Sequence, residues 1–269
     1  MNNLRQPAFN CSFNSSTHAK SKIFENHCHT AYELILVVEG AIEVITESRK
    51  FTVTASSAVV LSPFTYHTVF TAEAGKYERI TVSFSANDLP DCILGDFTSA
   101  VKNSPIVSGA KIQQIGASLK EALTAKNKQA LTPLVNALIT QLLYAITYSE
   151  SSYAGAQSDE MDQTLAKIIS FIGDNIDKMI TIDDIASKFF LSKSTVCHLF
   201  KSKMKISVKQ YVLQKKISKA TAMLMQGATA GEVSKALGYQ NYANFYSAYK
   251  KITGNSPAEV KPKRKEENQ

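Results

Sequence analysis

Four side chains in the first quarter of the chain could form a binding site. His27, His29 and Glu33 are separated by even numbers of residues, so on a continuous strand all three would point to one face. With His67 from another strand, they could form a metal site of two or three histidines and a carboxylate. His29, Glu33 and His67 are also suited to line a cavity for a small organic effector, or to be satisfied polar groups at the mouth of a barrel. We favour these polar roles and predict no bound metal and no other cofactor.

The second candidate chemistry is recognition of a polyanion. The 269-residue chain has a formal net charge of +7. Residues 160–269 carry a net charge of +8, whereas residues 1–159 carry −1. The stretch from Ile185 to Gly231 contains nine lysines and no acidic residue. A merely solvated surface usually mixes both signs, so this stretch indicates nucleic acid as a partner.

The lysine-rich segment has the pattern of two helix-turn-helix units. Thr181 and Asp184 have the spacing of a capping box, and Ser192 is suited to be the N-cap of the following helix. The first unit recurs at offsets of 48 and 49 residues, which pair Ile182 with Ala230, Ile185 with Val233, Ala186 with Ser234, Phe189 with Leu237, Val196 with Phe245, Phe200 with Tyr249, Lys201 with Lys250 and Ser207 with Ser256. Residues 213–224 carry a helical apolar pattern, which predicts a connecting helix between the units.

A duplicated helix-turn-helix suits the dimensions of double-stranded DNA. The major groove is ~12 Å wide and admits one α-helix, and successive grooves on one face lie ~34 Å apart. Outward residues near the start of each second helix would reach base edges, while lysines would contact phosphates. These residues are Lys193, Ser194, Thr195, Cys197, His198 and Lys201 in the first unit, and Asn241, Tyr242, Asn244, Tyr246, Ser247 and Lys250 in the second.

The first half of the chain is predicted to be mainly β-structure followed by helices. Short runs rich in branched residues between Tyr32 and Phe84 indicate a small sandwich or barrel. Helical spacing over residues 112–146 predicts two amphipathic helices. The second helix has a broad apolar stripe that includes Leu134, Val135, Leu138, Ile139 and Leu142. We expect this stripe to support a homodimer, and shared packing within the domain is the alternative.

The predicted fold class is multidomain α+β. Residues 1–148 form the N-terminal domain, 149–160 a linker, 161–260 an all-α DNA-binding domain and 261–269 a charged tail. No apolar run approaches 18 residues and no secretory h-region is found, so we expect no membrane contact. Four scattered cysteines suit a reduced, cytoplasmic setting. We find no P-loop, dinucleotide fingerprint or Ser/His/Asp arrangement, so we predict that the chain is not an enzyme.

Residues 165–260 resemble the AraC/XylS family of bacterial transcription regulators. The resemblance runs through TIDDIASKFFLSKSTVCHLFKSK, YVLQKKISKATAMLM and GYQNYANFYSAYKKITGNSP. It implies that Ser194, Cys197 and His198 face bases in the first unit, and that Tyr242, Asn244, Tyr246 and Ser247 do so in the second. The family usually has Gly at Lys205 and Arg at Lys216 and Lys261. Both recognition helices lack arginine, so shorter polar contacts and DNA shape should carry more of the specificity.

The N-terminal half is similar, more loosely, to the cupin-like arm of the same family. His27, His29, Glu33 and Gly40 satisfy HxHx₃Ex₆G, and His67 follows Pro63. The resemblance implies a cupin-like β-barrel that senses a small molecule and a regulator that works with RNA polymerase at promoters. The alternatives are a metal-dependent cupin enzyme with an accessory basic domain, and a non-specific nucleic-acid binder. The effector, the target promoters and the choice between activation and repression stay open.

Overall fold

The computed structural model describes residues 9–18, 23–27, 31–47, 49–103, 105–127, 129–148, 158–160 and 163–260. The chain divides into two compact units, one built mainly from residues up to Glu160 and the other from Met161 onward. The first unit carries the strands, and the second is helical throughout its described residues.

Two five-stranded sheets form the frame of the first unit, as far as its residues are described. The strands are β1 (Asn10–His18), β2 (Ile23–His27), β3 (Tyr32–Glu39), β4 (Ala41–Thr46), β5 (Arg49–Thr54), β6 (Ser57–Leu61), β7 (His67–Thr71), β8 (Gly75–Phe84), β9 (Ile106–Ser108) and β10 (Ser158–Glu160). One sheet has the order β1-β8-β3-β6-β9 and the other β10-β5-β4-β7-β2. The predicted β-domain is confirmed as a cupin-like fold.

The residues of β3 show how the sheets are packed. Ile35 and Val37 point into a core shared by strands of both sheets. Leu34 and Leu36 point the other way, into a second core that the helices cover. A strand buried on both faces reads as a continuous apolar run, which explains the segment YELILVV.

Three helices cover the outer face of the first sheet. They are α1 (Asp91–Asn103), α2 (Ala110–Thr124) and α3 (Thr132–Tyr148), with short 3-10 helices at Ala86–Asp88 and Gln129–Leu131. The two predicted helices correspond to α2 and α3, whereas α1 was not predicted. Leu142 is fully buried, so its predicted place on an exposed stripe is wrong. Leu134 keeps 48% of its surface exposed.

One helical stretch passes a test that the sequence analysis did not apply. Gln129–Tyr148 has a mean hydropathy of 1.4 and is long and apolar enough, by length and composition only, to cross a membrane. Its polar interruptions, such as Asn136 and Gln141, hide it from a search for uninterrupted apolar runs. Ile139, Leu142 and Leu143 of the same stretch pack in the domain core, which accounts for much of its apolar character.

The second unit consists of the helices that the sequence predicts. They are α4 (Gln163–Asp174), α5 (Ile182–Lys188), α6 (Lys193–Lys203), α7 (Val208–Met225), α8 (Ala230–Ala236) and α9 (Tyr242–Thr253), followed by a 3-10 helix at Pro257–Glu259. The pairs α5–α6 and α8–α9 are the two helix-turn-helix units, and α7 connects them. The charged tail lies outside the described residues, as do 149–157 of the predicted linker. The last three linker residues form β10, which pairs with β5.

Candidate DNA-binding surface and effector site

The two helix-turn-helix units begin with the same capping arrangement. Thr181 and Asp184 form a capping box at the start of α5, and Thr229 and Glu232 form one at the start of α8. Hydrogen bonds from Thr181 lower the pKa of the Asp184 carboxyl group, and those from Thr229 lower the pKa of Glu232. Each box satisfies backbone donors that a helix start leaves without partners. The predicted repeat is therefore confirmed at the level of individual hydrogen bonds.

The turns of the two units also adopt matching backbone conformations. Phe190 has φ = 54° and Gly238, 48 residues later, has φ = 72°. Lys205 has φ = 59°, and Gly254, 49 residues later, has φ = 77°. In both units a left-handed residue therefore ends the first helix, and another follows or ends the second. Glycine adopts this conformation without strain, but Phe and Lys do not.

We predict that Lys205→Gly stabilises the second unit. The substitution removes the left-handed strain of Lys205, which outweighs the entropy that glycine adds to the unfolded chain. The expected gain is about 0.5–1 kcal/mol in the free energy of unfolding, measured by urea denaturation. Lys203→Gly is the matched control, because residue 203 is helical and glycine should lower the stability there. A loss of stability in Lys205→Gly would contradict the strain.

The connecting helix α7 holds both units through buried side chains. The ring of Tyr211 lies 5.5 Å from that of Phe200 on α6, and Thr221 Oγ1 lies 2.9 Å from the hydroxyl of Tyr249 on α9. Lys216 is 6% exposed, and its Nζ donates a 2.7 Å hydrogen bond to the carbonyl of Leu237 at the end of α8. Burial lowers the pKa of Lys216. These contacts make α7 a common support for α6 and α9.

The structure exposes nearly all of the predicted DNA-contacting residues. All six in the first unit are exposed, as are five of the six in the second, while Tyr246 is half-buried. Two of the twelve also have local structural roles. The Thr195 hydroxyl lies 2.8 Å from that of Ser192, and Asn241 caps α9 by accepting a hydrogen bond from the Asn244 backbone. Their side chains must share or exchange these bonds to reach a base.

Lysines on the same surface have partners within the unit. Lys193 Nζ lies 2.5 Å from Asp183 Oδ1, and both side chains are well exposed. Lys250 Nζ lies 6.0 Å from the ring centre of Tyr246. Exposed pairs of this kind contribute little to stability, so a phosphate group can displace them at low cost.

The structure brings two of the three predicted effector-site residues together. His67 Nε2 lies 3.2 Å from Glu33 Oε2, and both side chains are almost fully buried. His67 Nδ1 lies 3.0 Å from the carbonyl of Thr65, which fixes the ring. The third residue, His29, lies outside the described residues, as does the side chain of His27. No cluster of three or more potential metal ligands occurs in the described part of the chain, and the expected absence of a metal stays a prediction.

Gly40 of the HxHx₃Ex₆G pattern has a structural reason. It has φ = 81°, and a Cβ atom there would lie 2.8 Å from the carbonyl oxygen of Lys76. This glycine serves the turn between β3 and β4 and the close approach of β8, rather than ligand chemistry.

The sequence analysis missed polar residues that share the inner face of the first sheet with Glu33. Cross-strand pairing sets Ser83 beside Glu33, Thr81 beside Ile35 and Arg79 beside Val37. Paired residues point to the same face, so these side chains face the core between the sheets. The available signal was the alternation in β8, where Ile80, Val82 and Phe84 were assigned to one face and the opposite face was left unread.

This geometry defines a class of protein: a cupin-like β-domain with buried polar groups, joined to a tandem helix-turn-helix domain. Comparison with protein families agrees. Residues 15–145 match the AraC-like ligand binding domain, and residues 185–263 match a helix-turn-helix domain. The chain belongs to the AraC family of transcription regulators.

Several known proteins are similar to this chain. The lactose operon transcription activator of Staphylococcus xylosus is 25% identical over 150 residues, which cover 55% of this chain and 50% of that protein. The HTH-type regulator YdiP of Escherichia coli strain K12, itself uncharacterized, is 23% identical over 252 residues, 88% of this chain and 80% of that protein. Among solved structures, ToxT from Vibrio cholerae is 13% identical, with a TM-score of 0.40 and coverage of 93% of this chain and 97% of that one. The chain thus spans half of the first relative and most of the second.

Proposed function

We propose that this protein binds promoter DNA in a sequence-specific manner by placing α6 and α9 in successive major grooves. The observation that carries the proposal is the repeat itself: two capped helix-turn-helix units expose equivalent faces and share one support, α7. An 18-residue helix is about 27 Å long, which is of the order of the ~34 Å between grooves. We propose that His198, Cys197, Tyr242 and Asn244 contact bases and that Lys201 and Lys250 contact phosphates.

Selection of DNA from a random library tests the proposal. The full chain should enrich a motif with two separated blocks of preferred bases and bind it at least about a thousandfold more tightly than scrambled DNA. Equal affinity for the selected and scrambled sequences would support the non-specific binder instead.

We propose further that a small polar molecule bound in the β-domain controls this activity. Glu33, His67, Arg79 and Thr81 supply hydrogen-bonding groups on or beside a face that is otherwise apolar, which is the usual make-up of a small-molecule site. The effector site proposed here consists of Glu33 and His67 with His29. We propose no catalytic role for these residues, RNA polymerase as a partner at the promoter, and the cytoplasm as the location.

The outer face of α3 is proposed as the homodimer contact. Leu134, Tyr144 and Tyr148 are 48%, 50% and 49% exposed, and their spacing places them along one stripe. We expect Leu134→Glu to weaken self-association by at least about tenfold, measured by sedimentation of the full chain, because it would place a charge in an apolar contact. Leu134→Gln serves as the uncharged comparison, and Gln141→Glu tests the effect of charge alone. A wild-type chain that sediments as a monomer at tens of micromolar would contradict the dimer.

A further inference from the structure

A cleft in the second unit has no role in the proposed contacts between protein and DNA bases. It lies where the start of α5, the exposed side of α6 and the start of α7 meet, and it has a volume of about 600 Å³. This volume is typical of sites that bind small organic molecules.

The walls of the cleft are mainly apolar. Ile180, Ile182, Val208 and Val212 line it. Of these, Val208 is buried, whereas the other three are only half-buried. An organic group of matching size could therefore remove further apolar surface from water.

The rim of the cleft is positively charged. It carries Lys193 and Lys209, and its single carboxylate, Asp183, pairs with Lys193 at 2.5 Å. Helices α6 and α7 contain no acidic residue at all. In the described part of the chain, no carboxylate forms a salt bridge with Lys209. The rim therefore favours an anion, which would meet Lys209 directly and compete with Asp183 for Lys193.

We propose that this cleft binds a small organic anion, with an apolar body against the valines and isoleucines and a carboxylate or sulfonate group at Lys209 and Lys193. Lys193 and Cys197 belong both to the cleft and to the surface assigned to DNA. An anion bound there opposes DNA binding by the first unit, and this consequence alone rests on the proposed function. The cleft is a second control point, built entirely from residues of the DNA-binding domain.

Methyl-labelled full-length protein titrated with 4-phenylbutyrate tests the site by NMR. The methyl signals of Ile182, Val208 and Val212 should shift saturably, while those of Val233 in the second unit should not. The neutral analogue 4-phenylbutanamide should bind about fivefold more weakly, and Lys209→Ala should weaken the carboxylate by about the same factor. Lys219→Ala, an exposed lysine of α7 outside the cleft, is the matched control. Unshifted cleft methyls, or equal binding of the acid and the amide, would overturn the proposal.

A second measurement separates this site from the proposed function. 4-Phenylbutyrate should raise the apparent Kd of the wild-type chain for its selected DNA and should have a smaller effect on Lys209→Ala. If the methyl signals shift but DNA affinity does not change, the antagonism is wrong. If the methyl signals shift and the chain has no sequence preference, the cleft stands and the proposed function fails.

Discussion

Gly238→Ala should destabilise the DNA-binding domain by about 3 kcal/mol and greatly reduce its affinity for DNA. Gly238 has φ = 72°, which costs a residue with a side chain about 1–2 kcal/mol. A Cβ atom at this position would also lie 2.6 Å from the carbonyl oxygen of Asp177. Because that oxygen belongs to the backbone between α4 and α5, the turn of the second unit must move away from the first. The relative position of α6 and α9 should change with it.

Gly254→Ala is the matched control for this prediction. Gly254 has nearly the same φ, 77°, but nothing lies within 4 Å of a Cβ atom there. It should cost only the backbone strain, about 1 kcal/mol. The difference between the two variants in urea unfolding isolates the clash with Asp177. Equal destabilisation would mean that the close approach between the units is absent in solution.

His198→Ala and Lys201→Ala should affect DNA binding in different ways. Removing a side chain that reads a base costs about 1–3 kcal/mol on the preferred sequence and little on scrambled DNA. Removing a phosphate contact weakens binding to both, and it lowers the slope of log affinity against log salt by about 0.9. Quantitative binding at several salt concentrations separates the two effects.

Lys235→Ala on α8 controls for the general loss of positive charge, because this exposed lysine lies outside the proposed contacts. Its effect on the preferred sequence should be smaller than that of Lys201→Ala. If His198→Ala leaves the base preference unchanged, α6 does not enter the groove in the proposed orientation.

The DNA-binding domain was predictable because its signals are local. Thr181 with Asp184, and Ser192, specify helix starts by hydrogen bonds to backbone groups three residues away. Val196 and Phe245 are each fully buried in equivalent positions, as the repeat in the sequence required. Duplication supplied a second reading of each position, so an ambiguous residue in one unit could be judged by its partner in the other.

The N-terminal domain was less predictable because its packing depends on residues far apart in sequence. Strand β1 contains mostly Asn, Ser and Thr, and it forms because β8 pairs along its whole length. Leu142 is buried because α3 packs with α1 and α2 into one core, which helical periodicity alone cannot distinguish from an exposed contact. Arg79 faces the inter-sheet core through its register with Val37, and no local pattern gives that register.

Hydroxyl-radical footprinting of the full chain on its selected DNA tests the central claim most directly. Two helices in successive major grooves should protect two windows on one face of the duplex, with centres about one helical turn apart. The protection should weaken steeply as salt is raised. A single protected window, unchanged when the second block of preferred bases is scrambled, would show that only one unit reads DNA and would contradict the tandem arrangement.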